Sequence, residues 1–240
     1  SGTLGSDRLP TVPTTKGGTG LTSVGSAGQV LTVSAPGSTL EFADAAGGGD
    51  FTQEVFNSSG TYTKPDNLVK VKVTCIGGGG TGGNASRPPS NFSTVTGGRG
   101  GVGGYSQEVI PAASIPGPVS VTVGSGAPGG TSSFGSFLSA TGGSSGNNTS
   151  GNSNGSTGSP GNGSGGDINQ SGISLGGDSN SFITFSGTGA SGKPASNNTN
   201  AVTPSGIGAG GGGGARKGDD TINRPASNGT GGRVIVESIF

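Results

Sequence analysis

The segment GGRGGVGG, residues 97–104, carries a side chain only at every third position, and similar runs stand at 77–83 (GGGGTGG) and 208–214 (GAGGGGG). Such runs make poor α-helix, because each glycine costs about 1 kcal/mol relative to alanine in a helix interior. They also carry few side chains with which to build an ordinary core. Gly98, Gly100 and Gly103 satisfy the G-x-G-x-x-G spacing of a dinucleotide-binding loop. That loop needs a strand before it and a helix after it, so that phosphate can sit on the helix N-terminus. Here RPPSNFSTVT, with two prolines, precedes it, and the extended YSQEVIP follows. With 57 glycines in 240 residues the spacing arises by chance, and no cofactor is expected. The period of three has another use. A left-handed helix of the polyproline-II type has three residues per turn, which puts glycine on two faces and Arg99 and Val102 on the third. Bare faces let such helices approach until backbone hydrogen bonds and Cα–H to carbonyl contacts replace side-chain packing.

Hydrophobic residues make up 26% of the chain, and 14 prolines join the glycines, a composition that points toward disorder. Disorder also favours a high net charge, whereas 12 basic residues balance 12 acidic ones. VKVKVTCI and PVSVTV moreover alternate as strands do. The absence of histidine excludes Ser-His-Asp and Cys-His sites and removes the commonest metal ligand. Cys75, the single cysteine, is in phase with Val71 and Val73 and is expected to be a small buried residue. Scattered, balanced charges argue against nucleic acid as a partner. No apolar run is long enough for a membrane-spanning helix, so membrane insertion is not expected. The chain contains no methionine, which leads to the expectation that it is the C-terminal part of a longer protein.

Two compositional blocks are expected, at 1–49 and 50–240. In the first, Leu21, Val24, Val30, Leu31, Val33, Leu40 and Phe42 are too few to bury one another in a monomer. A short β-rich stalk built by association of copies fits them, with AAGGGD as the joint. In the second, FTQEVF, TYTKP, LVKVKVTCI, YSQEVI, PVSVTVG and GGRVIVESIF read as strands, and TSSFGSFLSATGG as one further short strand. Val69, Val71, Val73 and Cys75 share one face of theirs, with Lys70 and Lys72 on the wet side. NASRPPSNFSTVT, DINQSGISL and KPASNNTNAVTPS read as loops between glycine segments. The fold class expected is all-β with polyproline-II or polyglycine-II helices, a short fibrous stalk, a small β-sheet and no significant α-helix.

TTKGGTGLTSVGSAGQVLTV and LEFAD resemble a segment repeated in bacteriophage tail fibres. FNSSGTYTKPDNLVKVKVTCIGGGGTGG, GGRGGVGGYSQEVI, VSVTVGSGAPGGTSSFGSFLSATGG and GGRVIVESIF resemble the glycine-rich receptor-binding tip of such fibres, as in the adhesins of T-even-like phages. The resemblance implies a sandwich of polyglycine-II helices whose connecting loops touch the host. It implies a non-catalytic protein at the distal end of the virion's tail fibre. Its partners would be an outer-membrane protein or surface glycan of the host and the rest of the fibre. The stalk-like block is fused to the tip here, which points to a homotrimer. Carried onto this sequence, the receptor-binding candidates are Arg87, Asn91 and Phe92; Phe182 and Phe185; Lys193, Asn197 and Asn198; and Arg216, Lys217, Asp219, Asp220 and Arg224. Exposed loops on a rigid scaffold are where recognition usually lives. Adjacent Asp219 and Asp220 lack the spacing of a calcium loop, so no metal is expected. Two alternatives stay open: a fibre-borne polysaccharide depolymerase, whose paired carboxylates would be invisible in sequence, and a structural or ice-binding glycine-rich protein.

Overall fold

The computed structural model describes residues 21, 25–33, 39–44, 50–86, 94–149, 152–172, 201, 204, 206–217 and 223–240. Contacts divide the chain into two compact units, Ser1–Asp50 and Phe51–Phe240. Among the described residues there is no α-helix. Among the described residues the architecture is all-β and antiparallel, with a 3-10 turn at Ala112–Ser114.

In the first unit, β1 (Gln29–Val33) pairs with β2 (Leu40–Asp44), Leu31 opposite Phe42. Adjacent residues of a strand point to opposite faces. Val30 at 47% and Leu31 at 46% exposure therefore leave apolar surface on both faces of this hairpin.

The second unit opens with β3 (Phe51–Phe56), β4 (Gly60–Tyr62), β5 (Lys70–Ile76), β6 (Thr94–Thr96), β7 (Tyr105–Pro111) and β8 (Val119–Thr122). It continues with β9 (Ser132–Phe134), β10 (Leu138–Ala140), β11 (Gly163–Ser164), β12 (Ile168–Gln170), β13 (Ala215–Lys217) and β14 (Arg233–Ile239). Two five-stranded sheets form, in the orders β12-β7-β5-β14-β3 and β11-β10-β9-β8-β4. The alternation in β5 sends Val71, Val73 and Cys75 inward to meet Val234 and Val236 of β14 and Tyr62, Val121, Phe134 and Leu138 of the other sheet. Lys72 lies on the opposite face, where its Nζ is 2.7 Å from Glu237 Oε2. Deep in the core the Tyr62 hydroxyl hydrogen-bonds Ser238 Oγ at 2.7 Å. Three expectations need correction. Val69 precedes β5 and is exposed, its N–H held by the Ile239 carbonyl at the end of the sheet. TSSFGSFLSATGG forms two strands, because Gly135 turns the chain at φ +52°, a conformation suited to glycine. DINQSGISL contains β12, an edge strand on β7.

The glycine segments lie outside the strands, beside one another, joined by backbone hydrogen bonds that recur at every third residue. Gly77, Gly80 and Gly83 donate to the carbonyls of Gly104, Gly101 and Gly98, so these two segments run antiparallel. Gly97, Gly100 and Gly103 donate to Gly214, Gly211 and Gly208, and Gly98, Gly101 and Gly104 to Asn147, Ser144 and Thr141. Gly155, Gly158 and Gly161 donate to Thr96, Arg99 and Val102. Gly79 and Gly82 donate to Thr230 and Ser227. The partners order six segments into two rows. One holds 208–214, 97–104 and 155–162; the other holds 225–232, 77–85 and 141–149. The bend at 124–130 lies on the second row, with Gly78 donating to Gly130 and Gly232 to Gly124. Of residues 77–83 and 97–104, only Thr81 and Arg99 are not buried.

Candidate recognition site

Five glycine segments join a sheet strand at one end. Gly77 follows β5, Gly104 enters β7, Thr141 follows β10, Asn162 enters β11 and Gly232 enters β14. Their registers therefore bring the opposite ends together. Ala85 forms a β-bridge with Arg224, Thr149 N–H donates to the Asn84 carbonyl at 3.0 Å, and Gly97 N–H donates to Gly214 at 2.8 Å.

At this end several backbone N–H groups, those of Asn84, Ser86, Thr96 and Ala226, are bonded by side chains instead of a neighbouring segment's carbonyl, and an unpaired amide would be costly when it loses water. Asparagine and threonine side chains close the ladders locally. Asn84 N–H donates to Asn148 Oδ1 at 2.8 Å, and Ala226 N–H donates to Asn84 Oδ1 at 2.8 Å. Ser86 N–H donates to Thr149 Oγ1 at 2.7 Å, and Thr96 N–H to Asn154 Oδ1 at 2.9 Å. Between these ends lies an open cavity of about 400 Å³, lined by Asn84, Ser86, Asn148, Asn223, Arg224 and Pro225.

Of the residues expected to bind a receptor, Arg224 stands in this cavity wall, half-buried, its carbonyl accepting the Ala85 N–H at 3.1 Å. Arg216 and Lys217 belong to β13 rather than a loop. Their strand pairs with Thr94–Thr96 and prolongs the ladder begun by Gly97 and Gly214, so the backbone keeps its partners beyond the last glycine. These pairings hold Thr94–Thr96, which follow residues 87–93 in sequence, against Ala215–Lys217, which precede residues 218–222. Arg87, Asn91, Phe92, Phe182, Phe185, Lys193, Asn197, Asn198, Asp219 and Asp220 lie outside the described residues. Sequence reasoning missed Asn84 and Asn148. The signal available was an asparagine closing a glycine run, as in GGN at 82–84.

Other chemistry is sparse. Cys75 is fully buried, and burial pushes its thiol up to about 12, so no thiolate nucleophile is present at neutral pH. Glu108 has a buried Oε2 without a hydrogen-bond partner among the described residues. Its carboxyl is raised above the usual range by burial first and by Asp167 second. Asp167 in turn accepts the Val109 N–H at 3.2 Å, a contact that ties the start of β12 to β7. No group of three His, Cys, Asp or Glu among the described residues is placed to hold a metal. No protein-family model matches the chain, and no curated protein is significantly similar to it.

Proposed function

We propose that this chain is the receptor-binding tip of a bacteriophage tail fibre, a non-catalytic adhesin. In this reading the glycine segments are polyglycine-II helices, supported by hydrogen-bond donors that recur at every third residue along neighbouring segments. A bundle of this kind is rigid without a large apolar core, because each backbone is fixed by its neighbours. The observation that carries the reading is the gathering of segment ends. Residues 84–86, 94–96, 147–149, 215–217 and 223–225 come together at one end of the scaffold, where recognition loops are usefully displayed. The hairpin of the first unit, apolar on both faces, supports a stalk that associates with other copies and makes the fibre end a homotrimer.

Adsorption tests the function. The purified chain is expected to bind cells of a susceptible strain and, in excess, to reduce plaque formation by a phage carrying it. Unchanged plaque counts with a chain that fails to adsorb to any strain of a broad panel would remove the proposal.

A further inference from the structure

We infer that the cavity at the ends of the glycine segments binds a pyranose unit of a cell-surface glycan through the amide groups of Asn84 and Asn148. The inference deepens the proposed attachment role and rests on it for its biological setting, but the binding chemistry stands on the cavity itself.

Each amide is fixed by its oxygen. Asn84 Oδ1 accepts the Ala226 N–H and Asn148 Oδ1 accepts the Asn84 N–H, both at 2.8 Å. These bonds decide which amide atom is oxygen, since only an oxygen can accept them. The Nδ2 groups are left over. Neither makes a hydrogen bond among the described residues, and both residues are exposed in the cavity wall. The cavity thus presents two donor groups that are already oriented, which lowers the ordering cost of binding. Ser86 adds a hydroxyl that can donate or accept, and Arg224 lies on the same wall.

The remaining lining argues against a protein partner. Protein interfaces rely on tryptophan, tyrosine and arginine anchors in desolvated pockets; among the described residues this wall holds Arg224 but no aromatic side chain. Among the described residues the lining offers only Ala85 and Pro225 as apolar surface. A pyranose suits it better, because every ring hydroxyl both donates and accepts and can pair with amide N–H groups and a serine hydroxyl. The volume, about 400 Å³, lies toward the small end of ligand cavities and suits one or two sugar units rather than a protein surface.

The test uses the whole chain and variants that keep the ends closed. Asn84→Asp and Asn148→Asp retain an acceptor for the Ala226 and Asn84 N–H groups while replacing the amide donor with oxygen. The parent is screened against immobilised bacterial lipopolysaccharides and capsular polysaccharides, two arms that separate the sources of the sugar. Binding in either arm is expected, with a loss of at least tenfold in affinity for each Asp variant and a melting temperature close to the parent's. No binding in both arms overturns the inference, as does equal affinity of parent and variants. Cells treated with periodate or with protease provide the independent arm. Adsorption abolished by periodate and kept after protease supports the inference; the reverse assigns the site to a protein receptor and overturns it, while leaving the attachment role standing. Glycan binding that depends on Asn84 and Asn148, without adsorption to any strain, would keep this site and remove the attachment role instead.

Discussion

A Cβ on Gly100 would stand 2.0 Å from the carbonyl oxygen of Gly80 and 2.5 Å from its carbonyl carbon. The obstacle is backbone, and the same Gly80 donates its N–H to Gly101 at 2.8 Å, so it cannot withdraw without breaking a ladder. Gly101 is equally confined, by the Ser159 oxygen at 2.0 Å. Gly100→Val and Gly101→Val are therefore expected to cost more than the roughly 1–3 kcal/mol typical of core overpacking, and to abolish or strongly lower the thermal transition. Arg99, partly exposed on the third face, should accept valine with a change of no more than about 1 kcal/mol. Equal melting behaviour of the Arg99 and Gly100 variants would show that the segments are not packed through their glycines.

The same geometry explains what could be read in advance. Val71, Val73 and Cys75 announce a strand because period two is unambiguous when its other face carries Lys70 and Lys72. Residues 97–104 announce close packing because two of every three positions are bare. Residues 141–149 and 155–162 were harder, because exposed serine, threonine and asparagine dilute their glycines. Gly155, Gly158 and Gly161 are spaced by three, and a Cβ on each would meet the oxygen of Asn147, Ser144 or Thr141 within 2.1 Å. The intervening Ser156 and Ser159 face the outside, where polar residues mask the period. Asn84 and Asn148 were only partly legible, for a different reason. Their role depends on register between segments sixty residues apart, which hydrogen bonds fix and local sequence does not.

The Tyr62–Ser238 pair offers a test of how the two sheets are tied. Their hydroxyls meet at 2.7 Å inside the core, with the Tyr62 ring 5.5 Å from that of Phe134. Ser238→Ala leaves the phenol unpaired and is expected to cost about 1–3 kcal/mol, and Tyr62→Phe a similar amount. The double variant removes both polar groups and should cost clearly less than the sum of the two, as measured by urea denaturation. Strict additivity would mean that the two hydroxyls do not interact in the folded protein.

Alkaline pH should weaken the fold through Cys75. Burial raises its thiol from an ordinary 9.0 to about 12, so between these values the folded chain keeps a proton that the unfolded chain has lost. Stability from this group is complete below pH 9 and falls as pH rises, by up to about 1.4 kcal/mol per pH unit. Tyr62, also raised chiefly by burial, acts in the same direction above pH 10. Denaturation between pH 8.5 and 11 should therefore show a steeper decline for the parent than for Cys75→Ala. Parallel curves would show that the thiol ionises without unfolding the core.

The hairpin of the first unit leads to the last prediction. Val30 and Leu31 are neighbours in β1, so their side chains leave opposite faces of a two-stranded sheet, and Val33 is 59% exposed as well. A two-stranded hairpin is marginal by itself in water, and apolar surface on both faces gives it no dry side. Association of copies, as proposed for the fibre end, would supply the missing cover, and a closed ring of three would bury every hairpin equally without leaving an open end. Placing lysine at both Val30 and Leu31 sets like charges against each other wherever copies meet. Light scattering on the full chain is expected to give a trimer mass for the parent and a monomer mass for the double lysine variant, whereas Val109→Lys, on the exposed face of β7 in the second unit, should remain trimeric. A double variant that keeps the trimer mass would place the contacts between copies outside β1, and a monomeric Val109→Lys would place them on the sheet of the second unit.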